Sequence, residues 1–256
     1  MNWVPWTSRL ANLYWYEGRY HDAEPLYVRV VQGRTRALGA EHRDTLKANY
    51  DLASVFLMQK RWAEYERLGR TTLDAQRRTL GETDPDTLGS MNNLASMYYA
   101  QGRYAEALPI SVQVLNARRR VLGEEHPQTL IAMHNTATNY SRLERFAEAE
   151  PLYVKALAGK VRVLGAAHPN TMITDSAIAE MYIKQRRYSE AESLLLGALA
   201  VSPEGETQRP AFATASLTPI RETITRELAR LYEESGQPAK AAEWRAKLLR
   251  DTPAKP

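Results

Sequence analysis

Cysteine is absent from the 256-residue chain, and this absence excludes several classes of function at once. Without thiols there is no disulfide framework, no zinc–thiolate site and no cysteine nucleophile. Glycine-rich phosphate loops are missing too, because the 13 glycines occur singly and none belongs to a G-x-x-x-x-G-K-[ST] motif. Long apolar runs are also missing, so we expect no signal peptide and no membrane span. We expect a cytoplasmic protein, although the lack of cysteine is equally compatible with the periplasm.

Charge of one sign is not concentrated anywhere in the chain. The 34 Lys and Arg residues against 30 Asp and Glu residues give a net charge of +4, with the two signs interspersed. This mildly basic balance permits an acidic partner without requiring one. No nucleophile with its base and no paired-carboxylate site can be recognised. We therefore expect a protein that is not an enzyme and that needs no cofactor and no metal.

One dipeptide, Leu-Gly, recurs at a fixed period of 42 residues. Its four copies are Leu38-Gly39, Leu80-Gly81, Leu122-Gly123 and Leu164-Gly165. A fixed period of this length indicates an array of stacked repeats, in which each unit packs only on its neighbours. Such arrays present an extended binding surface and are not built around a catalytic pocket.

Within each period, a small residue is followed three positions later by an aromatic one. The small column is Ala11, Ala53, Ala95, Ala137 and Ala179, and the aromatic column is Tyr14, Phe56, Tyr98, Tyr140 and Tyr182. This spacing is typical of the apolar stripe of an amphipathic helix. We predict two helices per unit, for example from about Thr87 to Ala100 and from Tyr104 to Leu122. Proline opens the first helix, and glycine in the left-handed C′ position ends the second.

The predicted fold is all-α: a right-handed α-solenoid of about six stacked antiparallel helix pairs. Residues 1–200 hold five pairs and residues 220–250 hold a sixth, divergent pair. A loop rich in proline, threonine and alanine separates them at 201–219, and 251–256 form a flexible tail.

The repeat unit resembles tetratricopeptide repeats of the kinesin-light-chain type. The resemblance rests on the Leu-Gly-Glu-Glu-His-Pro-Gln-Thr-Leu segment at 122–130 and on the Asn-Asn-Leu-Ala run at 92–95. It covers residues 9–200 closely and 220–250 weakly. It implies a non-catalytic scaffold or adaptor, whose ligand is a partner peptide or extended segment bound in the concave groove lined by helix A of each repeat.

The expected groove residues flank the small-residue column or lie at the end of helix A. Most are polar or aromatic, which suits contact with a peptide backbone, and His134 is expected to be a lone surface histidine. The predicted set is Asn12, Tyr16, Tyr50, Ser54, Asn92, Ser96, Tyr99, His134, Thr138, Arg142 and Lys184.

Two alternatives compete with groove recognition. Arg36, Arg78, Arg120 and Arg162 recur at the same period and would align into a basic edge for nucleic acid or an anionic surface. We favour helix C-terminal cations instead, because acidic residues such as Glu41 and Glu125 follow at once, so nucleic acid is the less favoured partner.

The second alternative is self-assembly, or contact with an upstream partner, through the first helix. Trp3 and Trp6 there have no preceding repeat to cover them. The junction histidines His42, His126 and His168 are expected to be caps or packing groups, since residues one repeat apart are too distant to share a metal.

Overall fold

The computed structural model of the protein describes residues 4–201 and 217–251. Within this part of the chain the only regular elements are helices. They are α1 (Val4–Tyr16), α2 (Tyr20–Leu38), α3 (Arg43–Met58), α4 (Trp62–Thr79), α5 (Pro85–Ala100), α6 (Tyr104–Leu122), α7 (Pro127–Arg142), α8 (Phe146–Leu164), α9 (Pro169–Lys184), α10 (Tyr188–Ala200), α11 (Thr218–Glu234) and α12 (Pro238–Asp251). The predicted all-α class with six helix pairs is confirmed. Trp3, residues 202–216 of the predicted loop and residues 252–256 of the predicted tail lie outside the described residues.

The chain divides into two compact units, residues 1–122 and residues 123–256. In unit 1, each helix from α1 to α6 packs on the next one, and α3 also touches α5. In unit 2, α7 to α12 pack in the same succession, and α9 touches both α7 and α11. The odd-numbered helices are the helices A of their repeats, so each unit brings helices A of neighbouring repeats into contact.

Four helices A, α3, α5, α7 and α9, begin with a side-chain cap at the junction between repeats. His42, Asp84, His126 and His168 each accept a hydrogen bond from the backbone N–H two residues further on, at 2.9–3.2 Å. This bond satisfies one of the free N–H groups at the start of a helix. Proline follows three of the four caps, at the first helical turn. The prediction that the junction histidines are caps is confirmed.

The end of helix B differs from the prediction in its backbone geometry. Gly39 has φ 94° and ψ 160°, and Gly165 has φ 88° and ψ 158°. These angles lie in an extended region of positive φ that is essentially open to glycine alone, and not in the left-handed helical region. Glycine is required at this position, as predicted, but for a different reason. The chain must leave the helix in an extended conformation at positive φ to reach the next cap.

The two predicted packing columns form the interior of both units. All five alanines of the small-residue column are buried, with exposed fractions between 0% and 4%. The arginine that precedes helix B places its guanidinium over the ring of each residue in the aromatic column. The distance from arginine Cζ to the ring centroid ranges from 3.9 Å at Tyr182 to 4.7 Å at Tyr140. Small residues opposite bulky ones let the two helices of a pair approach closely. This packing fixes each helix A against its helix B. The candidate site lies on the faces of helices A that are not used in this packing.

Candidate functional site

A half-open cleft of about 430 Å³ lies along α1, α3 and α5 in unit 1. We call it the unit-1 cleft. Its lining residues are Asn12, Trp15, Tyr16, Tyr27, Lys47, Tyr50, Asp51, Ser54, Leu57, Met58 and Asn93. Four of the predicted groove residues, Asn12, Tyr16, Tyr50 and Ser54, are therefore brought together around one concavity.

Hydrogen bonds between repeats and between paired helices fix the polar walls of the unit-1 cleft. The Tyr27 hydroxyl donates to Asn12 Oδ1 at 2.6 Å, and the Asn93 side-chain amide donates to the Tyr50 hydroxyl. Burial, together with the nearby charge of Asp51, raises the pKa of Tyr27 to about 12, so its hydroxyl remains a donor at neutral pH. The side-chain carbonyl of Asn12 is thus occupied by an internal hydrogen bond, and Asn12 itself lines the cleft. The walls are organised before any ligand arrives.

Aromatic and aliphatic side chains form the other wall. The rings of Trp15 and Tyr16 meet edge to face with centroids 5.3 Å apart. Tyr16 is 81% exposed and Met58 is 44% exposed, so both are available for contact. Rigid aromatic groups next to fixed polar groups are typical of peptide-recognition surfaces.

Asp51 is one of the lining residues that the sequence-based set does not include. Its carboxylate forms no hydrogen bond or ion pair with any residue that the structure describes. Burial raises the pKa of this carboxyl group, and the positive charges of Lys47 and Arg34 offset that rise only in part. The only available signal was positional: Asp51 follows the groove residue Tyr50, where later repeats have asparagine or alanine.

The other predicted residues of unit 1 lie outside the lining of this cleft. Ser96 is exposed, and its hydroxyl donates a hydrogen bond to the backbone carbonyl of Asn92 at 2.9 Å. Tyr99 packs on Tyr104 with ring centroids 5.2 Å apart. They occupy the same helix-A face of α5, further along unit 1, and remain candidate contacts.

In unit 2, the predicted position His134 is less accessible than a surface histidine. Its ring packs on Tyr153 at 5.6 Å between centroids, and its Nδ1 atom lies 3.2 Å from the Thr174 hydroxyl. Burial, and then the positive charge of Lys160, lowers the pKa of His134 to about 3. The neutral ring is therefore a packing group, and the expectation of a lone surface histidine is corrected. The Thr138 hydroxyl accepts a hydrogen bond from the Tyr153 hydroxyl at 2.9 Å, as Asn12 Oδ1 does from the Tyr27 hydroxyl in unit 1.

The two predicted basic groove residues of unit 2 meet an acidic side chain. Arg142 forms a two-pronged ion pair with Glu180, at 2.6 Å and 3.1 Å, and Lys184 Nζ lies 3.9 Å from the same carboxylate. Ser176 lies on α9 together with Glu180, and its hydroxyl donates to the carboxylate of Glu227 on the next helix A, α11, at 2.6 Å and 2.7 Å from the two oxygens. Sequence reasoning did not identify Glu180 as the partner of both cations. Glu180 thus neutralises both of the predicted basic residues of this face.

The rival arginine edge is also partly neutralised. Arg78 pairs with Glu41 and Arg162 pairs with Glu125, both at 2.6 Å.

On α1, Trp6 is 72% exposed and Leu13 is 51% exposed, while Trp3 lies outside the described residues. Among residues 4–201 and 217–251, no group of histidine and acidic side chains is arranged to hold a metal ion, and no helix is long and apolar enough to cross a membrane.

Comparison with known proteins agrees with this architecture. Family models described as tetratricopeptide repeat match residues 4–78, 48–110 and 86–160, and another of the same description matches 176–209. No curated protein matches the chain in sequence. The chain belongs to the tetratricopeptide repeat family, whose members are typically protein-interaction scaffolds.

Solved structures identify the type of repeat. A Podosopora anserina protein described as a kinesin light chain with nearly identical TPR-like repeats is 27% identical, covering 82% of this chain and 100% of its own, with a TM-score of 0.70. BtubC (BKLC) from P. vanneervenii is 20% identical, covering 93% and 94%, with a TM-score of 0.72. At 17% identity, PilF of Pseudomonas aeruginosa shares the fold, with 98% and 93% covered and a TM-score of 0.61. The predicted kinesin-light-chain type of repeat is confirmed.

Proposed function

We propose that this protein is a non-catalytic interaction module that binds a peptide or an extended segment of a partner protein along its helices A. The observation that carries the proposal is the convergence of Asn12, Tyr16, Tyr50 and Ser54 on the unit-1 cleft. These positions were selected from the repeat alone, and they line one concavity with fixed polar groups on one side and aromatic rings on the other. Asn92, Ser96 and Tyr99 would extend the contact along α5.

The chemistry of the cleft suits a peptide better than a small-molecule substrate. The cleft is half-open, most of its polar groups are amides and hydroxyls, and its lining holds no nucleophile paired with a base. Asparagine side chains can pair with a peptide backbone, while Tyr16 and Met58 supply exposed apolar area. Such a module would act as a scaffold or adaptor. In unit 2, Arg142, Lys184, Thr138 and His134 would contribute less, because most of their polar groups are already engaged.

Peptide selection tests this function directly. A random dodecapeptide library displayed on phage would be selected against the wild-type protein, and the enriched peptides would be measured by fluorescence polarisation. We expect binding that falls about 10-fold or more in Tyr16→Ser and in Met58→Glu, because both changes alter the exposed apolar wall of the cleft. Val121→Glu is the matched control, since this valine of α6 is 54% exposed and lies outside the cleft.

Two results would count against the proposal. One is a library that yields no saturable binder. The other is a set of binders that respond to Val121→Glu as strongly as to Met58→Glu, which would mean that exposed apolar area in general, and not the cleft, captures peptides.

A further inference from the structure

An unmatched carboxylate lies in the wall of the unit-1 cleft. Asp51 is partly buried and has no hydrogen-bond or ion-pair partner among the residues that the structure describes. Arg34, one of the two cations whose field reaches it, directs its guanidinium to the Asp44 backbone carbonyl at 2.7 Å. A carboxylate in such surroundings has lost part of its hydration without gaining a partner, which is costly to the fold. Uncompensated charges of this kind concentrate at functional sites.

The groups around Asp51 suit a cation with an apolar stem. Trp15 and Tyr16 present aromatic surface, on which a positively charged group is attracted by the ring electrons. Leu57 and Met58 provide aliphatic surface along the same wall. The Tyr50 hydroxyl, held by Asn93, adds an oxygen that can accept a further hydrogen bond.

Lys47, one turn before Asp51 on α3, is the only cation in the lining of this cleft. It raises the competing possibility of an acidic ligand. Lys47 is exposed, and its long stem can turn its ammonium group into solvent, whereas the short side chain of Asp51 holds its charge in the wall. An acidic ligand would therefore be repelled by the fixed carboxylate of Asp51. A basic ligand would be repelled only by the ammonium group of Lys47, which can move away into solvent. The arrangement favours the basic ligand.

We propose that the unit-1 cleft recognises a lysine or arginine side chain of its partner peptide, with the cationic group at Asp51 and the stem against Trp15 and Tyr16. This inference rests on the proposed peptide-binding function and adds the chemical class of the ligand. The aromatic wall supports the stem, and Asn12, which lines the same cleft, would donate a hydrogen bond from its side-chain amide to a carbonyl group of the adjoining peptide backbone.

The experiment uses the full chain and the peptides enriched from the dodecapeptide library. Each enriched peptide that contains arginine would be synthesised in two forms, with arginine and with citrulline, which keeps the shape and removes the charge. Both forms would be titrated against the wild-type protein and against Asp51→Asn. Asp44→Asn is the matched control, because it makes the same change on the same helix at an exposed position outside the cleft.

We expect the citrulline form to bind the wild type about 10-fold or more weakly than the arginine form. Asp51→Asn should weaken the arginine form by a similar factor and leave the citrulline form unchanged within about 2-fold, so that the two changes are coupled. Asp44→Asn should leave both affinities unchanged. Because asparagine has the same shape as aspartate and the change removes an uncompensated charge, the Asp51→Asn protein should melt no lower than the wild type, which separates loss of recognition from loss of fold.

The failures of the two proposals can be told apart. If the enriched peptides are acidic or uncharged, yet still lose binding in Met58→Glu, the peptide-binding function stands and the basic ligand is wrong. If arginine-containing peptides bind Asp51→Asn as well as they bind the wild type, the assignment to Asp51 is wrong. If nothing is enriched, the peptide-binding function itself fails.

Discussion

At the scale of single residues, the helices A of the two units differ in whether their charged side chains have partners. In unit 1, Asn12 and Tyr50 are fixed by neighbours, while Asp51 keeps an unmatched charge. In unit 2, Arg142 and Glu180 neutralise each other in the corresponding region. The predicted set follows from position in the repeat, and four of its members line the cleft. It could not find Asp51, because whether a carboxylate is desolvated depends on which side chains from other repeats surround it.

Glu227 on α11 provides a test of charge burial at this scale. Burial raises the pKa of Glu227 to about 7, since the nearby Glu180 reinforces the effect while Ser176 and Arg230 oppose it. A carboxyl group whose pKa is raised in the folded state contributes stability below its unfolded value, and that stability is lost as pH rises through the folded value. We therefore expect Glu227→Gln to unfold at a higher temperature than the wild type at about pH 8, and the gain to be much smaller at about pH 5.

Thermal unfolding followed by circular dichroism at the two pH values measures this difference. Each kcal/mol recovered corresponds to about 2–4 °C in a protein of this size. Glu222→Gln, which removes a carboxylate of the same helix that pairs with Arg226, serves as the control and should show no gain at the higher pH. A Glu227→Gln protein that melts at or below the wild-type temperature at about pH 8 would contradict the assignment of a costly buried charge.

At the scale of helices and turns, most boundaries follow from local chemistry. Pro85, Pro127 and Pro169 open helices as the sequence predicts, each behind a capping side chain. The predicted helix B from Tyr104 to Leu122 also holds, and it runs through Pro109, although an internal proline ordinarily breaks a helix. Here the proline lies near the start of helix B, and tertiary packing on both sides retains the helix despite the lost backbone bond.

The turn between helix A and helix B offers a prediction at this scale. Gly102 has φ 73° there, whereas the equivalent Glu144 is held at φ 59°, in the left-handed region that costs a residue with a Cβ atom about 1–2 kcal/mol. We expect Glu144→Gly to stabilise the protein by about 0.5–1 kcal/mol, because glycine removes this strain but loses more entropy on folding. Gly102→Ala should destabilise it by about 1 kcal/mol. Urea unfolding measures both changes, and a less stable Glu144→Gly protein would show that the turn is held by side-chain contacts instead.

On the scale of the whole molecule, the repeat determines the architecture and leaves the ligand open. The period, the alanine column and the aromatic column predict the first five helix pairs, and the described residues hold these five and the divergent sixth pair. They constrain the interior of each unit, where every repeat must pack in the same way. The outer faces are free to vary, so their chemistry depends on pairs such as Arg78 with Glu41 that join one repeat to the next. The net charge of +4 is small, and its two signs are interspersed along the sequence.

This charge distribution leads to a prediction about nucleic acid, the partner that the arginine column would suggest. Arg78 and Arg162, two of the four arginines of the column, are paired with Glu41 and Glu125, so fewer cations of this edge are free to displace counterions from phosphates. We expect labelled duplex DNA to show no saturable binding at about 150 mM salt up to roughly 100 µM protein, the weak limit of ordinary non-specific binding. Glu41→Gln/Glu125→Gln, which frees both arginines, should bind measurably more tightly, with an affinity that falls steeply as salt is raised. Fluorescence anisotropy at about 50 and 200 mM salt compares the two proteins. Tight, salt-sensitive binding by the wild type would instead restore the arginine edge as a binding surface, because counterion release of that size requires several unpaired cations aligned along one face.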